Sequence, residues 1–196
     1  MQSTAPTARM ISIPSGAPGV RATLKQMVKM VQLYSVSPTV RDTAARLVAD
    51  LPPHDTEAEI SALQRFVRDA VRYTGDVLNF ETLQSPVVTL GYRELEPPHL
   101  RLDGTISPGR VEPGGVAVGD CDDKSTLLAS LMASIGIPGA FCAVKVGGEL
   151  DFSHVLVEAK VRGRGKVEYI PCETILPGVE AGWFPPDASC FMLAHW

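Results

Sequence analysis

The chain has 196 residues, 45% hydrophobic and 20% charged, enough for one domain with a sizeable core, and its 17 Gly and 16 Pro call for long connections. A net charge of −4 with no stretch concentrating Lys and Arg excludes a nucleic-acid surface. No run approaches the ~18 consecutive apolar residues of a membrane helix, and the opening Met-Gln-Ser-Thr-Ala-Pro-Thr-Ala lacks the apolar core of a secretory signal, so the expectation is a soluble protein made in a cytoplasm with no membrane partner.

Residues 1–20 are rich in Ser, Thr, Ala, Pro and Gly with little periodicity, which predicts a flexible N-terminal arm. Over 22–34 the apolar Leu24, Met27, Val28, Met30, Val31 and Leu33 recur at near-helical spacing, and the Ser-Val-Ser-Pro turn ends that helix. A second helix starts near Thr39, carries Val40, Ala44, Ala45, Leu47 and Val48 as a stripe, and stops at Pro52-Pro53. The third is capped by Asp55 or Thr56 and keeps Ile60, Leu63, Phe66, Val67, Ala70 and Val71 on one face to about Tyr73.

Residues 95–119 hold Pro97, Pro98, Pro108, Pro113 and several glycines with hardly any periodicity, predicting a long loop that serves as a lid or partner-binding insertion, or is mobile. Residues 121–135 then read as a helix closed by Gly136, and 140–146, 154–161 and 166–170 as strands joined by Gly-rich turns. Helices first and hairpin-linked strands afterwards indicate an α+β fold over 21–176, with a C-terminal tail at 177–196.

The new helix opens with Cys121 in its first turn. At ~100° per residue, seven steps bring Leu128 to within ~20° of Cys121, so the thiol shares the buried face. The free N–H groups and positive dipole end of that turn favour thiolate, while Asp120, Asp122 and Asp123 oppose it and supply caps. Along the 154–161 strand, alternation puts His154, Leu156 and Glu158 on one face and Val155, Val157, Ala159 and Val161 on the core face. His54, His99 and His195 read as surface or core residues, Cys142 as core, Cys172 on the strand face opposite its neighbour Glu173, and Cys190 as part of the tail. The four cysteines lack close spacing, which predicts reduced thiols, and no Cys-x-x-Cys or His-x3-His spacing is present, so neither metal nor other cofactor is expected.

The run Gly119-Asp120-Cys121-Asp122-Asp123-Lys124-Ser125-Thr126-Leu127-Leu128, ending in Gly136-Ile137-Pro138, resembles the nucleophile motif of the transglutaminase-like superfamily, a papain-type cysteine fold. That family next places a His at the start of a second strand, often followed by Val-Glu, and His154-Val155-Leu156-Val157-Glu158 matches in order and spacing. Its third site residue is an Asp after an aromatic-apolar-Pro-apolar pattern; here Tyr169-Ile170-Pro171-Cys172 leads to Glu173, a departure from Asp. The resemblance thus implies a nucleophile-bearing helix packed on an antiparallel sheet, with Cys121 as nucleophile, His154 as base and Glu173 as the acid orienting it; Asp151 is the fallback acid. Upstream, Phe80-Glu81-Thr82-Leu83-Gln84-Ser85-Pro86 resembles a Glu-x-x-Gln-x-Pro stretch of bacterial and phage-encoded members, making Gln84 a candidate oxyanion donor beside the Cys121 N–H, or else a loop-fixing residue.

Two functions follow. One is a thiol acyl-transfer enzyme on a peptide or protein amide, hydrolysing it as a peptidase or amidase or passing the acyl group to an amine as a transglutaminase. The other is a structural or assembly component of a phage particle or tail that contacts phage structural proteins through the N-terminal arm, the 95–119 loop or the C-terminal tail. The resemblance implies a bacterial-host cytoplasm as the setting, with incorporation into a virion under the second reading.

Overall fold

The computed structural model describes residues 13–75, 82–163 and 166–196. Three helices come first: α1 (Ala17–Tyr34), α2 (Pro38–Val48) and α3 (Thr56–Ala70). α1 turns Leu24, Met27, Val31 and Tyr34 inward at helical spacing, and α3 does the same with Ile60, Leu63 and Val67. α3 starts where the Asp55 carboxylate accepts the Ala58 N–H at 3.1 Å.

A long stretch of short elements follows: β1 (Arg72–Tyr73), α4 (Pro86–Thr89), β2 (Tyr92–Glu96), β3 (His99–Leu100), β4 (Ile106–Ser107), β5 (Arg110–Pro113) and β6 (Val118–Gly119). Then come α5 (Cys121–Ser134), β7 (Gly139–Lys145), β8 (His154–Gly163), β9 (Lys166–Cys172) and β10 (Ser189–His195). The last four strands form one antiparallel sheet in the order β10-β7-β8-β9, so the fold is α+β.

α5 is the axis of the molecule. Every residue from Asp123 to Met132 is buried, because α1, α2, α3 and α4 surround it and the sheet closes the remaining side through β8 and β7. Burial favours polar side chains that bond internally, as Ser130 does by donating to the Thr126 carbonyl at 2.8 Å, although the buried Thr126 hydroxyl itself has no hydrogen-bond partner among the described residues. Val155, Val157, Ala159 and Val161 of β8 join the core beneath α5 as alternation requires.

Four expectations change. Residues 1–12 of the expected arm lie outside the described residues, but residues 17–20 already belong to α1, whose first turn accommodates Pro18 because the missing N–H would have no partner there. The 95–119 segment is a layered hairpin, with β2 paired to β5 and β3 to β4, while β6 runs parallel to β1. Its strands span two to five residues, too short for alternation to register in the sequence. The 177–196 tail contributes β10, which pairs with β7 through Leu193↔Cys142 and His195↔Ala140. Trp196 closes the edge: its ring lies 5.2 Å from that of Phe141 and passes over Gly139, where a Cβ would come within 2.6 Å of the indole. Leu156, read as outward-facing, is fully buried with Cys142 and Val144 under Val146, Phe184 and Ala188, since the C-terminal segment covers that part of the outer sheet face. Among the described residues no helix is long and apolar enough to cross a membrane.

Candidate active site

Cys121 is the first residue of α5, and the turn that holds it is built by its neighbours. Asp120 is the N-cap, its carboxylate accepting the N–H groups of Asp122 at 3.0 Å and Asp123 at 3.1 Å, while Asp123 reaches back to the Asp120 N–H. Gly119 is required because the Asp123 side chain crosses directly over it: an added Cβ would lie 2.6 Å from Asp123 Cβ. The motif Gly-Asp-Cys-x-Asp is thus a compact cap that fixes where the thiol sits.

The helix start docks on the start of β8. β9 pairs with β8 only as far as Cys172 opposite Val157, so the β9-side edge of β8 is open before that point. α5 covers it: Ser125 Oγ donates to the Val155 carbonyl at 3.2 Å, and the Val155 N–H points at the Cys121 sulfur. The peptide next to His154 is thereby stapled to the helix bearing Cys121.

Glu173 follows the last residue of β9. It is fully buried, and its Oε2 lies 2.7 Å from His154 Nε2, whose side chain is 11% exposed. Its Oε1 accepts the Ile175 N–H at 2.7 Å. Burial raises the Glu173 pKa, but the His154 hydrogen bond and charge, with the Ile175 and Thr174 N–H groups, outweigh it and hold the carboxyl below its usual range. The extra methylene of Glu over Asp is therefore accommodated. With Nε2 committed to Glu173, the imidazole has Nδ1 left for a thiol. Asp151, the alternative acid, is exposed.

Cys121 is half-buried, and its thiol lies 3.4 Å from Asp122 Oδ1. Burial first, then the Asp122 and Asp120 charges, push its pKa well up, and the Val155 N–H only partly offsets them. Burial and the carboxylates at the helix start thus both disfavour the thiolate.

Gln84 sits beside this turn. Asp123 accepts its backbone N–H at 2.6 Å on Oδ1 and its side-chain Nε2 at 2.7 Å on Oδ2. Thr82 to Pro86 of the upstream motif is described, whereas Phe80 and Glu81 lie outside the described residues.

Three residues that frame the site went unnoticed as such in the sequence. Gln64, on the core face of α3, donates to the Glu173 carbonyl at 2.6 Å and the Val179 carbonyl at 2.9 Å. Arg68, one turn on, donates to the Val179 carbonyl and pairs with Glu180 at 3.3 Å. Lys124, 1% exposed, donates to the Arg68 carbonyl at 3.1 Å and the Val71 carbonyl at 2.8 Å, capping the end of α3. Burial, partly countered by the Glu173 and Asp69 charges, lowers its pKa to about 8. The available signal was polarity at core positions: Gln64 within the Ile60, Leu63, Val67 stripe, and Lys124 within an otherwise buried helix.

The remaining candidates stay apart. Cys142 and Cys172 are buried free thiols pushed up to about 12, by burial first and then by the Glu158 charge. Cys190 has its backbone in β10, and its side chain lies outside the described residues. His54 is exposed in a turn, His99 is exposed on β3, and the His195 ring lies 6.3 Å from that of Tyr169 at the sheet surface. A surface groove of about 610 Å³ between Pro38, Leu95 and Arg110 is lined by none of the site residues. Among the described residues no group of three or more His, Cys, Asp or Glu could hold a metal ion.

No family model matches the chain, and no curated protein matches it. Among solved structures it is similar to a "putative protease" from Parabacteroides distasonis, with a TM-score of 0.47 and 14% identity over 83% of this chain and 30% of that one. It is also similar to a "putative cysteine protease" from Cytophaga hutchinsonii, with a TM-score of 0.47 and 12% identity over 87% of this chain. The chain spans 30% and 55% of the lengths of these two proteins.

Proposed function

We propose that the chain is a thiol-dependent acyl-transfer enzyme that cleaves peptide or amide bonds with Cys121 as nucleophile, His154 as acid and base, and Glu173 as the residue orienting His154. The observation that carries this reading is the buried Glu173 bonded at 2.7 Å to His154, whose neighbouring peptide is held against the Cys121 turn. A fully buried carboxylate serving one imidazole holds its tautomer and supports the positive charge that proton uptake creates.

Burial and the Asp122 and Asp120 carboxylates disfavour the thiolate, which supports chemistry of the general-base kind. The thiol proton passes to His154 Nδ1 as sulfur bonds to the carbonyl carbon, and the carbonyl π pair moves onto oxygen. When that pair returns, the C–N bond breaks and the amine leaves with the proton from His154. The thioester is then released by water, which His154 deprotonates, regenerating the thiol. An amine in place of water would make the same step a transamidation. The oxyanion is met by the Cys121 N–H, which the Asp120 cap does not use, and by the Gln84 side-chain amide.

The test is hydrolysis of a diverse peptide and amide set by the parent, Cys121→Ala and His154→Ala, with amine acceptors added in a second arm. Turnover that vanishes in both variants is expected. Equal turnover by Cys121→Ala and the parent would overturn the reading.

A further inference from the structure

Asp123 carries more hydrogen bonds than a helix cap needs. A capping box asks one carboxylate oxygen of the third helical residue to accept the N-cap N–H, and Asp123 Oδ2 does so at 3.4 Å. Yet both oxygens are also spent on Gln84, at 2.6 Å to its backbone N–H and 2.7 Å to its side-chain Nε2, across 39 positions of sequence. Asp123 is moreover 1% exposed, whereas cap carboxylates ordinarily remain in water. Gly119 adds the spatial constraint, since any side chain there would displace Asp123.

We infer that Asp123 is a positioning residue that orients the Gln84 side-chain amide toward the carbonyl oxygen of the substrate bound at Cys121. The amide nitrogen bears two hydrogens. One is tied to Asp123 Oδ2, which fixes the plane and rotamer of the group and leaves the second hydrogen at one defined place. Asp123 is two residues beyond Cys121 on the same rigid turn, so the nucleophile and the Gln84 donor move as one body. An oxyanion donor acts only if it is already in place when the charge develops, and a freely rotating glutamine would forfeit most of that effect. The second Asp of the Gly-Asp-Cys-Asp-Asp run and the distant Gln84 thereby become parts of one device, with Gly119 as the gap that admits it.

This inference rests on the acyl-transfer reading for its consequence but not for its geometry, and the experiment separates the two. The side-chain amide of Gln84, assigned by its loss in Gln84→Ala, is followed by ¹⁵N NMR relaxation and hydrogen exchange in the full chain. The parent should show a rigid, slowly exchanging amide. Asp123→Asn can keep only one acceptor toward Gln84 and should release it, as should Gly119→Ala, which acts by displacing Asp123 from the opposite side. With a substrate turned over in a Cys121-dependent manner, Gln84→Ala should lower kcat by about 10²-fold, and Asp123→Asn by about 10-fold, with KM within about threefold. Asp123→Asn added to Gln84→Ala should cost no more than Gln84→Ala alone, which a merely structural role would not produce. An amide equally rigid in Asp123→Asn and the parent would overturn the inference. So would an amide released without loss of kcat, or fully additive losses. Absence of any Cys121-dependent turnover would instead overturn the functional reading, leaving the relaxation data to judge whether Asp123 holds Gln84.

Discussion

Glu173 bonds His154 with one carboxylate oxygen and the Ile175 N–H with the other, so its effects should be separable from those of charge alone. Glu173→Gln keeps the shape but lets the amide donate or accept toward Nε2, and it should lower kcat by about 10²-fold or more; Glu173→Asp, one methylene short, should lose activity as well. Stability carries a second signature. The Glu173 carboxyl sits below its ordinary range when folded, so its contribution is present above the unfolded value of ~4.3 and is lost as pH falls through the lower folded value. Urea unfolding between about pH 6 and 3 should therefore show a steeper loss for the parent than for Glu173→Gln. At Cys121, Asp122→Asn removes the nearest charge opposing ionisation, so the pH midpoint of its iodoacetamide labelling should move down and labelling at neutral pH should speed up. That Cys121 opens α5 and His154 opens β8 was legible in the sequence, because each lies in a motif that marks an element start. Whether a Glu could replace an Asp was not, since that depends on where β9 ends relative to β8.

α3 is the element that frames the site from behind, and its contribution is the part the sequence hid. Gln64 and Arg68 hold the segment after β9 that carries Glu173, and Lys124 ties the end of α3 to α5. Gln64→Leu would take the Gln64 donor from the Glu173 carbonyl and leave the Val179 carbonyl to Arg68, and should cost about 1–3 kcal/mol by chemical denaturation. It should also lower turnover, because Glu173 loses its backbone anchor. The helices themselves were legible from apolar spacing, and the strands at β7, β8 and β9 from alternation and Gly turns. The layered hairpin within 95–119 was not, because its pairs are too short for periodicity and are specified by contacts between strands. Long-range polar anchors leave a similarly faint trace: a Gln or Lys at a core position says that a partner exists, not which one.

In the molecule as a whole, the segments expected to order only against a partner, 95–119 and 177–196, are ordered within the chain. β10 completes the sheet at the edge of β7, and Trp196 packs on Phe141 beside the α5 core. Trp196→Ala should cost about 2–4 kcal/mol and lower the melting temperature by roughly 5–15 °C. A tail free in solution would leave it unchanged. The sequence could not reveal this strand because the pattern in Phe191-Met192-Leu193-Ala194 is apolar throughout: Met192 and Ala194 pack inward while Phe191 and Leu193 remain exposed. The candidate site lies where the cap of α5, the open edge of β8 and the end of β9 come together, and the proposed chemistry requires one residue from each. The direct measurement is the rate of iodoacetamide labelling at each cysteine, read by mass spectrometry, in the folded parent and in folded His154→Ala. Cys121 should be labelled well ahead of Cys142 and Cys172, and its rate should fall about tenfold or more without His154. A Cys121 rate unchanged by that substitution would rule out His154 as its base.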